Sequence, residues 1–170
     1  MIGWAVANSA RVDARTRLWC VIASLVPDLD GLTLLAGLAA YGTYHHVLTH
    51  NLAFGALVTA VSAVWVPRRA RELTLVLAAF CSHLIGDYFG SGPGWGLQPF
   101  LPFSDRFFLF AHAWELAGWQ NTLITAIAIA LALVIAVRRG HTPLECVSPS
   151  ADRAIVAALR ARFGAPSASR

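Results

Sequence analysis

The sequence predicts an all-α fold: a polytopic helical membrane bundle of about four short transmembrane helices, with a re-entrant or aromatic loop and a C-terminal amphipathic helix. Hydrophobic residues make up 57% of the 170 residues and charged residues only 13%. In soluble domains about half of the residues are apolar and about a quarter are charged. So few charges exclude a disordered chain or a solvated coiled coil. The net charge of +4 is too small and too scattered to indicate a nucleic-acid partner.

Four apolar segments and the arginines between them give the predicted topology. The segments are 18–40, which the motif PDLD interrupts, 52–66, 73–89 and 123–137. Each is near or below the roughly 17 to 25 residues that a spanning helix needs. The arginines that flank these segments are Arg11, Arg15, Arg17, Arg68, Arg69, Arg71, Arg138 and Arg139. If all four segments cross, these Arg clusters lie on one face, which the positive-inside rule assigns to the cytoplasm.

Two regions are predicted along the chain: a membrane-embedded domain, 1–140, and a polar cytoplasmic tail, 141–170. Within the tail, SPSADRAIVAALRARFG carries its apolar side chains on one side, which predicts a short amphipathic helix. The last residues, GAPSASR, are expected to be disordered. At the other end, a short apolar run precedes its arginines, the reverse of a signal peptide, so no cleavable signal is predicted.

The stretch 90–121 is rich in glycine, proline and aromatic residues. Glycine and proline exclude a continuous helix, whereas the aromatic side chains suit an interfacial or re-entrant segment. Two interpretations stay open: an aromatic belt that anchors the helices, and a lid that faces a substrate. His112 and Glu115 form a secondary candidate pair in this stretch.

Two acidic residues interrupt the first apolar segment. Nine apolar-rich residues precede Pro27, and Asp28 and Asp30 follow it. At about 1.5 Å per residue in a helix, these nine residues reach only partway through a hydrocarbon core of about 30 Å. An ionisable group at that depth is costly unless it is paired, hydrated or bound to a metal. The alternative is that one of the two carboxylates caps the helix that follows.

Histidines provide a second cluster in the motif YHHVLTHN. In a helix, His46 and His50 share a face at the spacing that lets two imidazoles bind one metal ion. Alternatively, Asn51 caps a helix that begins at Leu52 and His50 lies on a turn before it. The motif as an exposed polar loop is the third interpretation.

A third cluster lies in SHLIGD, where His83 and Asp87 are four residues apart in an apolar segment. On one helix face they present an imidazole and a carboxylate, which suits a divalent cation; the alternative is a self-contained hydrogen-bonded pair. The candidate ligands from all three clusters are Asp28, Asp30, His45, His46, His50, His83 and Asp87. This nitrogen and oxygen set without thiolate suits zinc, with manganese or magnesium as the alternatives.

Four motifs occur in order along the chain: PDLD, HHVLTHN, SHLIGDYF and GLQPFLPFSDRF. Over about 25–107 this order resembles the YdjM-like, LexA-regulated inner-membrane metal-dependent hydrolases, whose pattern runs roughly PDxD, HRxxTHS, HxxxD and Gly-x-x-Leu-x-x-Pro-Phe. The resemblance implies a hydrolase of the bacterial inner membrane that acts on a small-molecule or lipid-linked phosphoester. The family also tends to carry a histidine before PDxD, so this chain either lacks one ligand or starts too late.

The resemblance also implies residue roles. The metal ligands that it implies are Asp28, Asp30, His45, His50, His83 and Asp87. Asp30 is also a candidate orienter of ligands or general base. His46 stands where the family usually has arginine, and we expect it to be an auxiliary ligand or an anion contact. Arg106 is the expected contact for a phosphate or a lipid head group.

Two other classes of function remain as alternatives. A non-catalytic carrier or sensor also holds metal in intramembrane His and Asp sites, and a structural membrane subunit would carry the same residues by coincidence. Serine nucleophile chemistry is not predicted because the sequence contains no GxSxG motif. The expected partners are membrane lipids and the substrate, without nucleic acid.

Overall fold

Short helices form the N-terminal half because polar side chains and helix breakers divide its apolar sequence. The computed structural model describes residues 1–67 and 69–164, so Arg68 and most of the predicted disordered end, 165–170, lie outside the described residues. The elements of this half are α1 (Ile2–Ala7), α2 (Ala14–Ala23), a 3₁₀ helix (Val26–Ala36), α3 (Leu38–Tyr44) and α4 (Leu52–Ser62). Asp13 caps α2 through the backbone N–H of Thr16, and Asn51 caps α4 through that of Phe54.

The C-terminal half contains two long apolar helices, α5 (Ala70–Gly90) and α6 (Trp119–Arg139). Each has 21 residues, about 32 Å of helix, which is enough for a hydrocarbon core of about 30 Å. Both are long and apolar enough to cross a membrane, and α2 with the 3₁₀ helix, bent by 40°, counts as a third if the pair is one span. The all-helical membrane bundle is therefore confirmed; by length and composition, residues 1–67 and 69–164 contain two or three membrane-capable helices, against the predicted four or so.

The segment 52–66 accounts for the difference from the predicted count of four spans. Its helix, α4, ends at Ser62 and has 11 residues, about 16 Å, so it falls short of a complete crossing. Gly55 brings α4 close to α5, because a Cβ at this position would lie 2.6 Å from the ring of Phe80. The helix is therefore a packing element at the flank of α5, with large apolar side chains such as Val64 and Trp65 exposed beyond it.

The core lies around α5, which packs against α1, α2 and α4. Its buried side chains are Ala7, Cys20, Ala23, Val58, Val76, Ala79, Phe80, Leu84 and Leu97. By contrast, α6 exposes a row of large apolar residues, among them Leu123 and Ile127. A large exposed apolar surface marks contact with another apolar phase, and this one suits lipid.

The C-terminal tail packs back onto the N-terminal helices. Glu145, in a short 3₁₀ helix (Pro143–Cys146), accepts two hydrogen bonds from Arg17, at 2.6 and 2.7 Å, and one from the Trp4 indole at 2.9 Å. The predicted amphipathic helix is α7 (Pro149–Phe163), which also packs against α6. Its position on the cytoplasmic surface stays a prediction.

We expect Glu145→Gln to destabilise the fold. The Arg17 and Glu145 side chains are 11% and 9% exposed, and breaking a buried pair costs about 3–5 kcal/mol because one charge is left without its partner. Thermal unfolding of the detergent-solubilised protein measures the loss. Arg153→Gln, which changes an exposed arginine on α7, is the matched control, and equal unfolding temperatures for the two variants would contradict the expectation.

Candidate metal centre

Asp30 is the hydrogen-bonding hub of the candidate site. The 3₁₀ helix begins at Val26, before both acidic residues, so the interpretation of Asp28 or Asp30 as a helix cap is wrong. The buried Asp30 carboxylate instead accepts hydrogen bonds from His45 Nδ1 at 2.7 Å and from His50 Nδ1 at 2.9 Å. One carboxylate thereby orients two imidazoles from a distant part of the chain.

Thr49 attaches the histidine motif to the 3₁₀ helix. Its backbone N–H donates to Asp30 Oδ2 at 3.3 Å, its hydroxyl donates to the Pro27 carbonyl, and the same hydroxyl oxygen accepts from the Asp30 N–H at 3.3 Å. A hydroxyl can both donate and accept, so one threonine satisfies two backbone groups of the facing segment. These hydrogen bonds fix the position of the histidine motif relative to the segment that carries the acidic residues.

The histidine motif forms turns rather than a helix. His46 has a φ of 67°, and α4 begins at Leu52 with Asn51 as its cap. The predicted shared helix face of His46 and His50 is therefore wrong, and the alternative of His50 on a turn before a capped helix is confirmed. The two rings nevertheless lie with centroids 4.5 Å apart, because the turn folds His46 back over His50.

His83 enters the site from α5. Its Nδ1 lies 2.9 Å from the Ser24 carbonyl oxygen, which only accepts hydrogen bonds, so Nδ1 carries the hydrogen and the neutral ring presents a lone pair at Nε2. The same reasoning applies to His50, whose Nδ1 donates to the Asp30 carboxylate. Both imidazoles therefore direct Nε2 into the site, in the arrangement that outer-sphere acceptors impose on metal-binding histidines.

Four donor atoms converge where the two Nε2 atoms meet. The Nε2 atoms of His50 and His83 are 3.3 Å apart, and Asp87 Oδ2 lies 3.2 and 2.9 Å from them. Asp28 Oδ1 lies 3.4 Å from His83 Nε2 and 3.9 Å from His50 Nε2. Electron-rich atoms this close together repel one another unless a proton or a cation lies between them.

These separations fit one divalent ion. Four ligands at about 2.0–2.1 Å around a tetrahedral zinc lie about 3.3 Å from one another, which matches the spacing of the two imidazole nitrogens. Asp87 Oδ2 is buried, and its neighbours are His83 Nε2 at 2.9 Å and His50 Nε2 at 3.2 Å. When both rings carry their hydrogen on Nδ1, this oxygen has no donor and a cation would satisfy it. The alternative of a hydrogen-bonded His83 and Asp87 pair requires a proton on His83 Nε2 and stays open.

Aromatic side chains enclose the histidine side of the site. Trp95, from the stretch after α5, lies 5.6 and 5.2 Å from the rings of His45 and His46, and Tyr41 stacks on His45 at 4.5 Å. Burial lowers the pKa of His46 to about 4, so this imidazole is neutral near pH 7. Its Nδ1 is buried without a hydrogen-bond partner among the described residues.

The stretch 91–118 has one part over the histidines and other parts exposed, and both interpretations of it stay predictions. Trp95 covers the histidines as a lid would, whereas Phe103 and Leu116 are largely exposed, as an anchoring belt requires. The stretch consists of turns and one antiparallel bridge between Leu97 and Phe108. The secondary candidate pair, His112 and Glu115, therefore shares no helix face.

Arg106, the predicted head-group contact, is exposed and has local contacts. Its guanidinium lies 5.1 Å from the centre of the Phe108 ring, and its backbone N–H donates to Ser104 Oγ. No contact within 1–67 and 69–164 joins it to the His and Asp cluster. Its role in substrate binding stays a prediction.

Two contacts of the candidate ligands were not predicted from the sequence. The Ser24 carbonyl, which contacts His83, is a backbone group, so no residue type in the sequence indicates this contact. Tyr41 lies four residues before His45 in a short helix, and this spacing does predict contact. Thr49, which the family resemblance did mark, is the residue that attaches the histidine motif to the acidic segment.

A cavity of about 470 Å³ opens beside the cluster, between the ends of α5 and α6 that are remote from the Arg clusters. Its polar lining includes His83 and Asp87, together with Ser82, Asn121 and Thr125. Apolar side chains that include Leu25, Ile124 and Ala128 form much of the rest. The candidate metal centre is therefore connected to a space between the two long helices.

The fold and the cluster define a helical membrane protein with groups of His and Asp that can hold a metal ion. The family described as YdjM inner membrane protein matches residues 1–160, and the chain belongs to this family. Membership of the YdjM family, indicated by four sequence motifs, is thereby confirmed. No curated protein and no solved structure matches the chain.

Proposed function

We propose that this protein is a membrane-bound, metal-dependent hydrolase of phosphoesters. The observation that carries the proposal is the convergence of Asp28 Oδ1, His50 Nε2 and His83 Nε2 at separations that suit one divalent ion, with Asp87 Oδ2 within 3.2 Å of both imidazole nitrogens. A mixed His and Asp set is typical of hydrolytic zinc or manganese sites. The similar use of His and Asp in zinc phospholipase C and P1 nuclease is an analogy that suggests a phosphoester.

The ligand roles follow from hydrogen bonding and exposure. His50 and His83 each have their other ring nitrogen tied to an acceptor, so they are the fixed ligands. Asp28 is the most accessible ligand, with a side chain 58% exposed, and it marks the side open to substrate. Asp30 orients His45 and His50, because both of its oxygens already accept hydrogen bonds.

His46 is the proposed proton-handling group or auxiliary ligand. Its Nε2 lies 4.0 Å from Asp87 Oδ2, and its Nδ1 is buried without a partner among the described residues. In the proposed reaction, water adds to phosphorus, the P–O bond to the alcohol breaks, and the alcohol leaves with a proton. A bound divalent ion supplies polarisation of the phosphoryl group and acidification of water.

The test combines metal analysis with hydrolysis by the purified protein. We expect about one equivalent of zinc or manganese by mass spectrometry, and metal-dependent release of alcohol from a phosphomonoester, a phosphodiester or a phospholipid. Chelation should abolish hydrolysis and re-addition of the metal should restore it. Protein that holds no metal after reconstitution would contradict the proposal, and metal without hydrolysis of any of these esters would favour the carrier or sensor.

A further inference from the structure

We propose that the cavity between α5 and α6 binds one acyl chain of a membrane lipid, so that the lipid's polar head lies against the candidate metal centre. As an assignment of substrate class, this rests on the proposed hydrolase function; as an assignment of a binding site, it does not. The cavity lies between the two helices that are long and apolar enough to cross the membrane. Lipid is the apolar solvent there.

The cavity wall combines polar and apolar side chains. His83 and Asp87 lie on the wall at the candidate metal centre, whereas Leu25, Ile124 and Ala128 provide apolar wall. The hydroxyl of Thr125, also on the wall, donates to the Asn121 carbonyl of its own helix. An amphiphile, with a polar head and an apolar chain, complements this distribution.

Depth and size also fit a lipid. His83 precedes the end of α5 by seven residues, about 10 Å along the helix, so the candidate metal centre lies within the apolar length of the helix, where acyl chains are the surrounding solvent. The volume of about 470 Å³ is within the range of about 300–1,000 Å³ that small-ligand sites occupy. A soluble phosphate would leave the apolar wall without a partner.

Gly86 provides the sharpest test because it lies on the cavity wall. A Cβ at this position meets no atom within 4 Å and the residue lines the cavity, so the side chain of Gly86→Leu begins in open space at the cavity wall and improves helix propensity. Gly42 in α3 is the matched control, since a Cβ there also meets no atom within 4 Å and the residue does not line the cavity.

The probe is a phosphatidylethanolamine with a photoreactive group in one acyl chain, in vesicles of phosphatidylethanolamine and phosphatidylglycerol. The protein is chelated first, so that the result requires neither metal nor hydrolysis. We expect crosslinks on the cavity faces of α5 and α6, reduced roughly tenfold in Gly86→Leu, the scale of losing two buried methylene groups, and unchanged in Gly42→Leu. Crosslinks on outward faces alone, or equal labelling of both variants, would overturn the proposal.

A second matched pair tests the opposite wall. Ile124 lines the cavity, whereas Ile127, one turn further along α6, is 59% exposed and does not. We expect Ile124→Ser to reduce labelling and Ile127→Ser to leave it unchanged. Where hydrolysis is observed, Gly86→Leu should raise KM for a long-chain phosphoester and not for a soluble one. Labelling of the cavity without hydrolysis would retain the lipid site and contradict only the hydrolase function.

Discussion

Replacing His83 or Asp87 with alanine should remove the metal and the hydrolytic activity together. Each residue supplies one of the four converging donor atoms, and the Nε2 of His83 is within 3.4 Å of three other donor atoms. Losing an outer partner of a ligand costs about 10–100-fold in metal affinity, so we expect the loss of a ligand to cost at least about 100-fold. Mass spectrometry of bound metal and phosphoester hydrolysis are the two measurements.

His112→Ala is the matched control for these variants. It removes an imidazole from the exposed stretch after α5, outside the groups of His and Asp that can hold a metal. Thermal unfolding shows whether His83→Ala remains folded, because the Ser24 carbonyl loses its hydrogen-bond donor. A folded His83→Ala or Asp87→Ala protein that keeps both metal and activity would refute the assignment of the site.

Asp30→Asn should weaken the metal centre without removing a ligand. Asparagine offers one acceptor oxygen and one amide donor, whereas His45 and His50 both donate to the native carboxylate. One ring must then face the amide, and the unfavourable contact favours the tautomer that carries its hydrogen on Nε2. We expect metal affinity to fall about 10–100-fold and the free energy of unfolding to fall by about 1–3 kcal/mol.

Titration of the metal against a competing chelator measures this change, and Asp105→Asn is the matched control on an exposed carboxylate. The two interpretations of Asp30 give different results. An orienting carboxylate leaves the metal stoichiometry unchanged at high metal concentration, whereas a direct ligand would lower the stoichiometry itself. Wild-type affinity in Asp30→Asn would contradict both roles.

Membership of a helical membrane family was predictable because the chain's composition leaves few other solutions. Apolar residues so outnumber charged ones that only a bilayer or a large core can accommodate the helices. The candidate ligands were also predictable, since His83, Asp87 and the acidic pair lie in apolar segments where an unpaired charge is costly. Four ordered motifs predicted the family, which matches residues 1–160.

The span count was less predictable because hydropathy does not show where a helix ends. The segment 52–66 is apolar throughout, yet α4 stops at Ser62. The histidine motif illustrates the same limit: its spacing suits a helix, but His46 adopts a left-handed backbone conformation that no periodicity reveals. In the histidine motif, hydrogen bonds of His45, Thr49 and His50 with Asp30 outweigh the local preference for a helix.

The sequence by itself determined the class of protein and the inventory of candidate ligands, because composition and the cost of intramembrane charge are properties of residues. Only the tertiary structure decided which atoms meet. Asp30 contacts the histidines and Asp28 stays accessible because the 3₁₀ helix turns one carboxylate towards the histidine turns and leaves the other exposed. The direction of a side chain depends on backbone geometry and on hydrogen-bond partners distant in sequence, such as the Ser24 carbonyl for His83.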